Sequence, residues 1–444
     1  MLYISVSSIL AFGKRVSASK ALRNIGLALF DNRFFIEGKT MSCEVKIPIR
    51  GWSILLIAWL AFMVANITNF AFGIILPDMR ADIGFDLETA GFLSSIAWIG
   101  RGLFTIPIIC LISKGKPKTV LLSMLVLLAV GMLLQGFATN TLMLFIGRLF
   151  VMGVAAGIIS VLVVFKIQWV PREKVGMVNG IEMFTGPAGQ LLGTAFFPIF
   201  LAMMLGWREV MIVMGSFTLL LAFVWFFVAK DNNHSSVLIT GYEKVAVFQP
   251  LKEALAYRNT WLLALAWPAT SLTWIAIYTF WVTYAVETLM FSVYEAGIVL
   301  GFLPIGSAVA CLVSPLMAQN LGYDKPFIVA SGVVLPFAYY GLILFDNMLI
   351  LSFISFIAGY AAYSFVPLAF TTLYKTGMSP RAVSMATGFI LSLVGFGGAI
   401  GAALTGWLGS QYSLKTALSL TCISPFIFAV LTLFLTETGW KIKK

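Results

Sequence analysis

Apolar stretches of about twenty or more residues follow one another along almost the whole chain, separated by short polar segments. A stretch of this length crosses the hydrocarbon core of a bilayer as an α-helix, whereas barrel strands alternate over about ten residues. The chain is 60% hydrophobic and 11% charged, against roughly 45–50% and 25% in soluble domains. A water-soluble fold has no interior for so much apolar surface, so the sequence predicts an all-α membrane protein.

Twelve transmembrane helices are predicted, with the limits 51–77, 88–112, 118–138, 142–165, 175–203, 207–229, 260–286, 293–318, 325–344, 348–371, 383–409 and 416–436. They divide the chain into an N-terminal tail, a six-helix half, a linker, a second six-helix half and a C-terminal tail, at 1–50, 51–230, 231–258, 259–438 and 439–444. No function is assigned to the N-terminal tail, and Met41 is an alternative start site.

The two halves repeat each other at a nearly constant offset. The pairs 209 residues apart are Trp52 and Trp261, Pro171 and Pro380, Gly186 and Gly395, and Gly189 and Gly398. The pairs 206 residues apart are Gly91 and Gly297, and Gly100 and Gly306. A shared offset indicates one unit built twice, so two pseudo-symmetric six-helix bundles are predicted.

Lys and Arg are distributed unevenly between alternate loops. Of 29 Lys and Arg residues, only Arg80, Arg208 and Lys415 lie on one side, while Arg101 and Arg148 lie inside spans. All the others share the opposite side with both tails and the linker. Because Lys and Arg concentrate in cytoplasmic loops, both termini and the linker are predicted to be cytoplasmic, in the inner or plasma membrane.

Residues that bind metals or form nucleophile–base pairs are scarce. The only histidine is His234, and none of the four cysteines forms a CxxC pair. Zinc clusters and histidine-dependent triads are therefore excluded, and no GxxxxGK[ST] loop points to ATP. We expect no enzyme activity, metal or cofactor. The formal net charge is +11, but the basic residues are spread over short loops, so no nucleic-acid partner is expected.

Two loops carry related basic motifs. The loop after the second span reads Ser113-Lys114-Gly115-Lys116-Pro117-Lys118, and its repeat after the eighth reads Gln319-Asn320-Leu321-Gly322-Tyr323-Asp324-Lys325. They resemble the Gly-x-x-x-Asp-Arg-x-Gly-Arg-Lys loop of the major facilitator superfamily. Both lack the family's aspartate, and Gln319 stands in the acidic place of the second. The family's usual charge latch between helices is therefore not carried over.

Glycine motifs in two spans extend the resemblance over residues 51–438. The fourth span carries Arg148 followed by Gly153 and Gly157, and the fifth carries Gly186-Pro187-Ala188-Gly189, which is similar to an antiporter motif. The resemblance implies alternating access, in which two bundles rock around a central cavity bordered by the first, fourth, seventh and tenth spans. Gly186 and Pro187 are then packing residues, or gating residues where the fifth span bends.

Three charged residues lie well inside predicted spans, where a charge costs several kcal/mol. Arg101, near the middle of the second span, is predicted either to bind an anionic substrate or to form a structural or gating pair. Arg148 is assigned either a structural or a coupling role. Glu182 is the natural carrier if the protein couples to protons. Alternatively, Glu182 forms a permanent pair with Arg101 or Lys166.

Neutral polar and aromatic residues complete the candidate substrate site. Asn66 and Asn69 share a face of the first span because they are three residues apart. The remaining candidates form stripes on the seventh and tenth spans, namely Trp274 and Tyr278, and Tyr360 and Tyr363. Packing is the competing interpretation of these stripes, and Trp281 is a candidate for the interfacial aromatic belt.

Arginine for a carboxylate and aromatic rings for an apolar body suit a small organic anion. The leading hypothesis is a secondary active transporter of such a metabolite, driven by protons or by exchange, with the bilayer and a small-molecule substrate as its partners. We expect a monomer. One alternative is a proton-antiport efflux pump for drugs or metabolites, and another is a non-transporting sensor or scaffold.

Overall fold

The computed structural model describes residues 47–113, 117–171, 174–204, 206–230 and 248–439. The N-terminal tail to residue 46, most of the predicted linker and the last five residues lie outside the described residues. The described part is almost entirely helical and contains no β-strand. The predicted all-α class is therefore confirmed, while the predicted domain limits stay a prediction.

The first half consists of α1 Ile49–Ile83, α2 Leu87–Ser113, α3 Pro117–Gly136, α4 Thr141–Trp169, α5 Val175–Leu191, a π-helical turn Leu192–Phe196, α6 Phe197–Met204 and α7 Trp207–Val228. α1 ends at Gly84, whose φ of 78° is a left-handed conformation that glycine adopts without strain. α4 begins where the Asn140 side chain accepts a hydrogen bond from the Met143 amide. The predicted fifth span is thus not one α-helix, since a π-helical turn divides it.

The second half consists of α8 Phe248–Leu255, α9 Arg258–Thr288, α10 Val293–Leu321, α11 Lys325–Leu344, α12 Met348–Ser364, α13 Val366–Lys375, α14 Pro380–Gln411, α15 Leu414–Thr421 and α16 Ser424–Leu433. A capping box between Ser292 and Glu295 begins α10. The predicted tenth span breaks just before Pro367 and the twelfth just before Pro425, because proline cannot supply the amide of a continuous helix.

Ten helices of the described residues are long and apolar enough to cross a membrane, and Thr141–Ala155 is a shorter apolar helix. The first of the ten is α1, with a mean hydropathy of 2.0. α2, with 27 residues, covers the predicted second span. Every predicted span thus falls on helix, although the count of twelve membrane crossings stays a prediction.

The repeated glycines form matching seams between the halves. A β-carbon on Gly91 of α2 would lie 2.5 Å from the Ala402 carbonyl oxygen of α14. A β-carbon on Gly297 of α10 would lie 2.9 Å from the Thr194 carbonyl oxygen, beside α6. Both positions therefore require glycine, which lets helices approach closely in lipid. Two glycines that are 206 residues apart thus allow close helix packing at equivalent places in the two halves.

The halves are sealed at one end. We call the end that carries Arg80, Arg208 and Lys415 the basic-poor end, and the opposite end, which carries Lys166, the basic end. Hydrogen bonds that join the halves within the basic-poor part run from Arg80 to Glu287 (2.7 Å), from the Glu88 amide to Ser410 (2.9 Å), and between Ser94 and Thr279 (2.9 Å). Near the basic end, Gly388 of α14 has no atom within 4 Å of an added β-carbon.

Polar contacts join the irregular segment after α16 to the loop between α10 and α11. Asp324 pairs with Lys375 at 2.5 Å and accepts a hydrogen bond from the Thr438 hydroxyl at 2.9 Å. The Glu437 carboxylate accepts from the Asp324 amide at 2.8 Å, at the N-terminus of α11. Although Gln319 lacks the family's acid, an ion pair is present in this loop and is supplied by a different residue.

Part of the predicted linker is helical. α8 lies within 231–258 and is tied to the start of α14 because Glu253 accepts from the Ser379 amide and hydroxyl, both at 2.8 Å. These two hydrogen bonds lower the pKa of Glu253 below its usual 4.5. Since the folded-state pKa is lowered, this contact stabilises the fold above pH 4.5 and is lost as the pH falls through the lowered value.

Candidate functional site

Arg101 lies at the middle of α2 and its side chain is only partly buried. Its guanidinium carbon is 5.4 Å from the centroid of the Trp98 ring, one turn away on the same helix. It also lies within electrostatic range of the Tyr363 hydroxyl, on α12 of the other half. α2 therefore presents its intramembrane arginine toward the second half.

The aromatic residues predicted on α9 and α12 form one cluster. The Trp274 ring is 4.8 Å from the Tyr278 ring and 5.3 Å from the Tyr363 ring, centroid to centroid. Gln190 of α5 donates to the Tyr363 hydroxyl at 3.4 Å, which joins the cluster to the first half. Arg101 and these side chains from both halves thus surround one region of the molecule.

Trp281, three residues beyond Tyr278, is not part of an interfacial belt. It is fully buried, and its indole N–H donates to the Leu342 carbonyl at 2.9 Å. That prediction from the sequence was wrong because Trp281 packs inside the protein, against α11, rather than at the membrane surface.

Arg148 lies in a separate environment on α4. It is 3% exposed, and its Nε donates to the Leu93 carbonyl at 3.0 Å. Its Nη2 donates to Asn69 Oδ1 at 3.4 Å, and its guanidinium carbon lies 3.7 Å from the centroid of the Phe72 ring. Three helices are thereby joined through one side chain, as the structural interpretation of Arg148 requires.

A small cavity lies beside Arg148, between α1, α2, α4 and α9. Its lining includes Asn69, Ser94, Trp98, Arg148 and Thr279. The volume open to the centre of a water-sized sphere is about 10 Å³, which is room for roughly one water molecule. Arg101 does not line this cavity, but Trp98 and Tyr278 belong both to its lining and to the surroundings of Arg101 and the aromatic cluster.

Asn66 and Tyr360 are not joined to the aromatic cluster. Asn66 donates to the Phe62 carbonyl of its own helix at 2.8 Å, and its β-carbon packs against Gly189. Tyr360 is partly exposed on α12 and has no hydrogen bond or ring contact with the cluster among the described residues. Asn69, three residues from Asn66, instead accepts a hydrogen bond from Arg148.

Glu182 is 3% exposed on α5 and pairs with Lys166 of α4, with Oε2 and Nζ 2.9 Å apart. Of the two pairs considered from the sequence, the structure forms the one with Lys166. This pair lies toward the basic end, since Lys166 belongs to the last turn of α4. A buried carboxylate requires such a partner, because an isolated charge is costly in a low-dielectric interior.

The two glycines of the glycine-proline motif in α5 differ in how closely other helices pack against them. Gly186 has only an ordinary contact, 3.8 Å to the Phe62 ring, whereas a β-carbon on Gly189 would lie 2.8 Å from the Met63 carbonyl oxygen. Pro187 lies inside α5, five residues before the π-helical turn. Close packing therefore requires Gly189, while Gly186 and Pro187 lie where α5 is free to bend.

Two residues of the site were not singled out from the sequence as leading candidates. Trp98 stands three residues before Arg101, and this helical spacing was a usable signal. Gln190 carried no comparable signal, because only the fold brings α5 and α12 together. The described residues contain no group of His, Cys, Asp and Glu that could hold a metal ion.

Comparison with known proteins agrees with this architecture. The family model of the Major Facilitator Superfamily matches residues 58–378. A putative tartrate transporter from Agrobacterium vitis is 23% identical over 420 residues, covering 86% of this chain and 89% of that protein. A probable sulfoacetate transporter, SauU, from Cupriavidus necator is 26% identical over 233 residues, covering 50% and 53%.

Solved structures show the same fold at low sequence identity. The inward-facing, unoccupied crystal structure of a bacterial homologue of the human lysosomal transporter Spinster has a TM-score of 0.75 and 15% identity, over 86% of this chain and 96% of that one. The nucleoside transporter NupG has a TM-score of 0.71 and 12% identity, over 87% and 98%.

Proposed function

Because the chain belongs to the Major Facilitator Superfamily, we propose that it is a secondary active transporter that moves a small organic anion by alternating access. The observation that carries this proposal is Arg101. A guanidinium at mid-span, partly exposed and facing Tyr363 of the other half, suits a carboxylate that both halves hold in turn.

The neighbouring groups support the same class of substrate. A guanidinium binds a carboxylate through two parallel N–H groups, which fixes its orientation. Trp98 and Trp274 offer ring faces for the apolar part of the molecule, and the Tyr363 hydroxyl offers a further hydrogen bond. The site therefore suits a small anion better than a lipophilic cation, because Arg101 repels positive charge.

The named substrates of the two relatives fit this class. Tartrate and sulfoacetate are both small organic anions, and the tartrate transporter aligns with most of this chain. At 23% and 26% identity they support the class and not an individual compound.

Uptake into proteoliposomes tests the proposal. Purified protein is reconstituted and offered labelled tartrate, sulfoacetate, a neutral nucleoside and a lipophilic cation, with and without a pH gradient. Arg101→Ala is expected to reduce anion uptake by at least about tenfold, since loss of a charge-assisted pair costs about 1.5–3 kcal/mol. Lys415→Ala, which removes an exposed cation at the basic-poor end, is the matched control and keeps wild-type uptake.

Three outcomes separate the candidate functions. Anion uptake that depends on Arg101 supports the proposal. Transport of the lipophilic cation alone supports the efflux pump instead. Binding of an anion without transport of any compound supports a sensor.

Orientation and coupling belong to the same proposal. The basic end faces the cytoplasm, because Lys and Arg favour that side. The state described here, sealed at the basic-poor end, is then inward-facing. Protons couple to transport through Glu182, whose carboxylate is released from Lys166 when it is protonated. The two bundles span 51–230 and 259–438, and one chain is the working unit.

A further inference from the structure

We infer that the cavity beside Arg148 is a binding site for a small monoatomic anion, of which chloride is the physiological example. Arg101 does not line this cavity, although Trp98 and Tyr278 are shared with the proposed substrate site, and the inference does not depend on the nature of the transported substrate. It concerns an ion that stays at the seam between the halves.

The charge at Arg148 is not neutralised by the protein. The side chain is 3% exposed, and no carboxylate forms an ion pair with it among the described residues. Its Nε and Nη2 donate to neutral oxygens, of Leu93 and Asn69, and its Nη1 has no acceptor in the described part of the chain. Arginine stays charged in proteins, so a buried guanidinium without a counter-ion calls for an anion.

Several of the other lining residues are apolar or aromatic, but the polar side chains among them offer donors. Arg148 can only donate, so Asn69 turns its Oδ1 to Arg148 and keeps its amide N–H groups for another partner. The Ser94 and Thr279 hydroxyls bond each other at 2.9 Å, which uses one of their two protons and leaves the other to donate. No Asp or Glu belongs to the lining. A cation is therefore disfavoured at this site, and an anion is favoured.

The size of the cavity selects the anion. Its volume of about 10 Å³ for the centre of a water-sized sphere leaves no room for a carboxylate, which has a carbon and two oxygens. A halide is a single sphere only slightly larger than water. It fits with small movements of the Ser94 and Thr279 side chains. These side chains form no other hydrogen bond between α2 and α9.

The occupant would join the two halves. Asn69, Ser94 and Arg148 belong to the first half, and Thr279 to the second. An anion bound among them favours the state that is sealed at the basic-poor end, because the site is complete only when α2 and α9 are in contact. Halide binding and conformation are then linked.

Thermal unfolding of the purified, detergent-solubilised protein tests this inference. Sodium chloride or bromide replaces sodium gluconate at constant ionic strength, in the wild-type protein and in Arg101→Ala, because gluconate is itself a small organic anion of the class proposed to bind Arg101. We expect the Tm to rise and saturate, by at least about 2 °C, as for any ligand that binds only the folded state. Arg148→Lys, Asn69→Leu and Thr279→Val are expected to abolish the rise. Lys415→Ala, the control, and Arg101→Ala are expected to retain it.

Bromide diffraction from crystals of the full chain gives the second measurement. An anomalous peak within hydrogen-bonding distance of Arg148 and Thr279 supports the inference. Equal Tm values in chloride and gluconate, or density without an anomalous signal at this position, would show that the cavity holds only water and would overturn it. Because neither measurement uses transport, failure here is distinguishable from failure of the proposed function.

Discussion

The intramembrane charges Glu182, Arg148 and Arg101 lie in three different environments. Glu182 has an ion pair with Lys166, Arg148 has neutral oxygens and the Phe72 ring, and Arg101 has the Trp98 face and Tyr363. The sequence identified all three as costly residues, but it left their partners open. Which side chains become partners depends on how α2, α4 and α5 are rotated about their long axes. In spans that are apolar on all sides, the sequence gives only a weak periodic pattern from which that rotation could be predicted.

Glu182→Gln separates coupling from substrate binding. A carboxamide cannot bind and release a proton. We therefore expect a pH gradient to drive no accumulation of the anion beyond what exchange alone gives. Exchange of labelled for unlabelled anion is expected to persist, because Arg101 is intact. Both activities are measured in the same proteoliposomes.

The control for this prediction is Glu209→Gln, which changes an exposed carboxylate at the basic-poor end and is expected to keep both activities. Accumulation by Glu182→Gln that still follows the pH gradient would show that another group carries the proton. Size-exclusion profiles check that loss of the pair with Lys166 leaves the fold intact.

The positions of the helices could be predicted from the sequence, but the places where helices are interrupted could not. Every predicted span falls on helix, because a membrane demands long apolar stretches. α8 was missed because eight amphipathic residues give little signal inside a polar linker. The π-helical turn Leu192–Phe196 was missed because it arises where α5 meets α1 and α10, and it contains no proline to mark an interruption.

The two glycines of the α5 motif are expected to differ in their tolerance of a methyl group. Gly189→Ala forces α5 away from the Met63 carbonyl oxygen of α1, so we expect a loss of about 1–3 kcal/mol of stability. Gly186→Ala, the matched control, meets only the Phe62 ring at 3.8 Å and is expected to be neutral or stabilising. Thermal unfolding in detergent compares the two, and equal losses would contradict the described packing of α5 on α1.

At the scale of the whole molecule, the two halves meet through glycines that are 206 residues apart. The sequence predicted the two halves from the offset of Gly91 and Gly297, and the structure places both glycines at seams between the halves. The seal at the basic-poor end was not predictable. It is formed by pairs such as Arg80 and Glu287, which are 207 residues apart, and no sequence pattern links two side chains so distant.

The accessibility of position 101 tests the central claim most directly, because that claim requires Arg101 to face a water-filled chamber between the halves. Arg101→Cys is introduced after replacement of the four native cysteines, and a membrane-impermeant sulfonate thiol reagent is applied to each side of oriented vesicles. We expect reaction from the basic end and no reaction from the basic-poor end, where the halves are sealed. A thiol that is unreactive from both sides would place residue 101 against lipid or packed protein and would contradict the account.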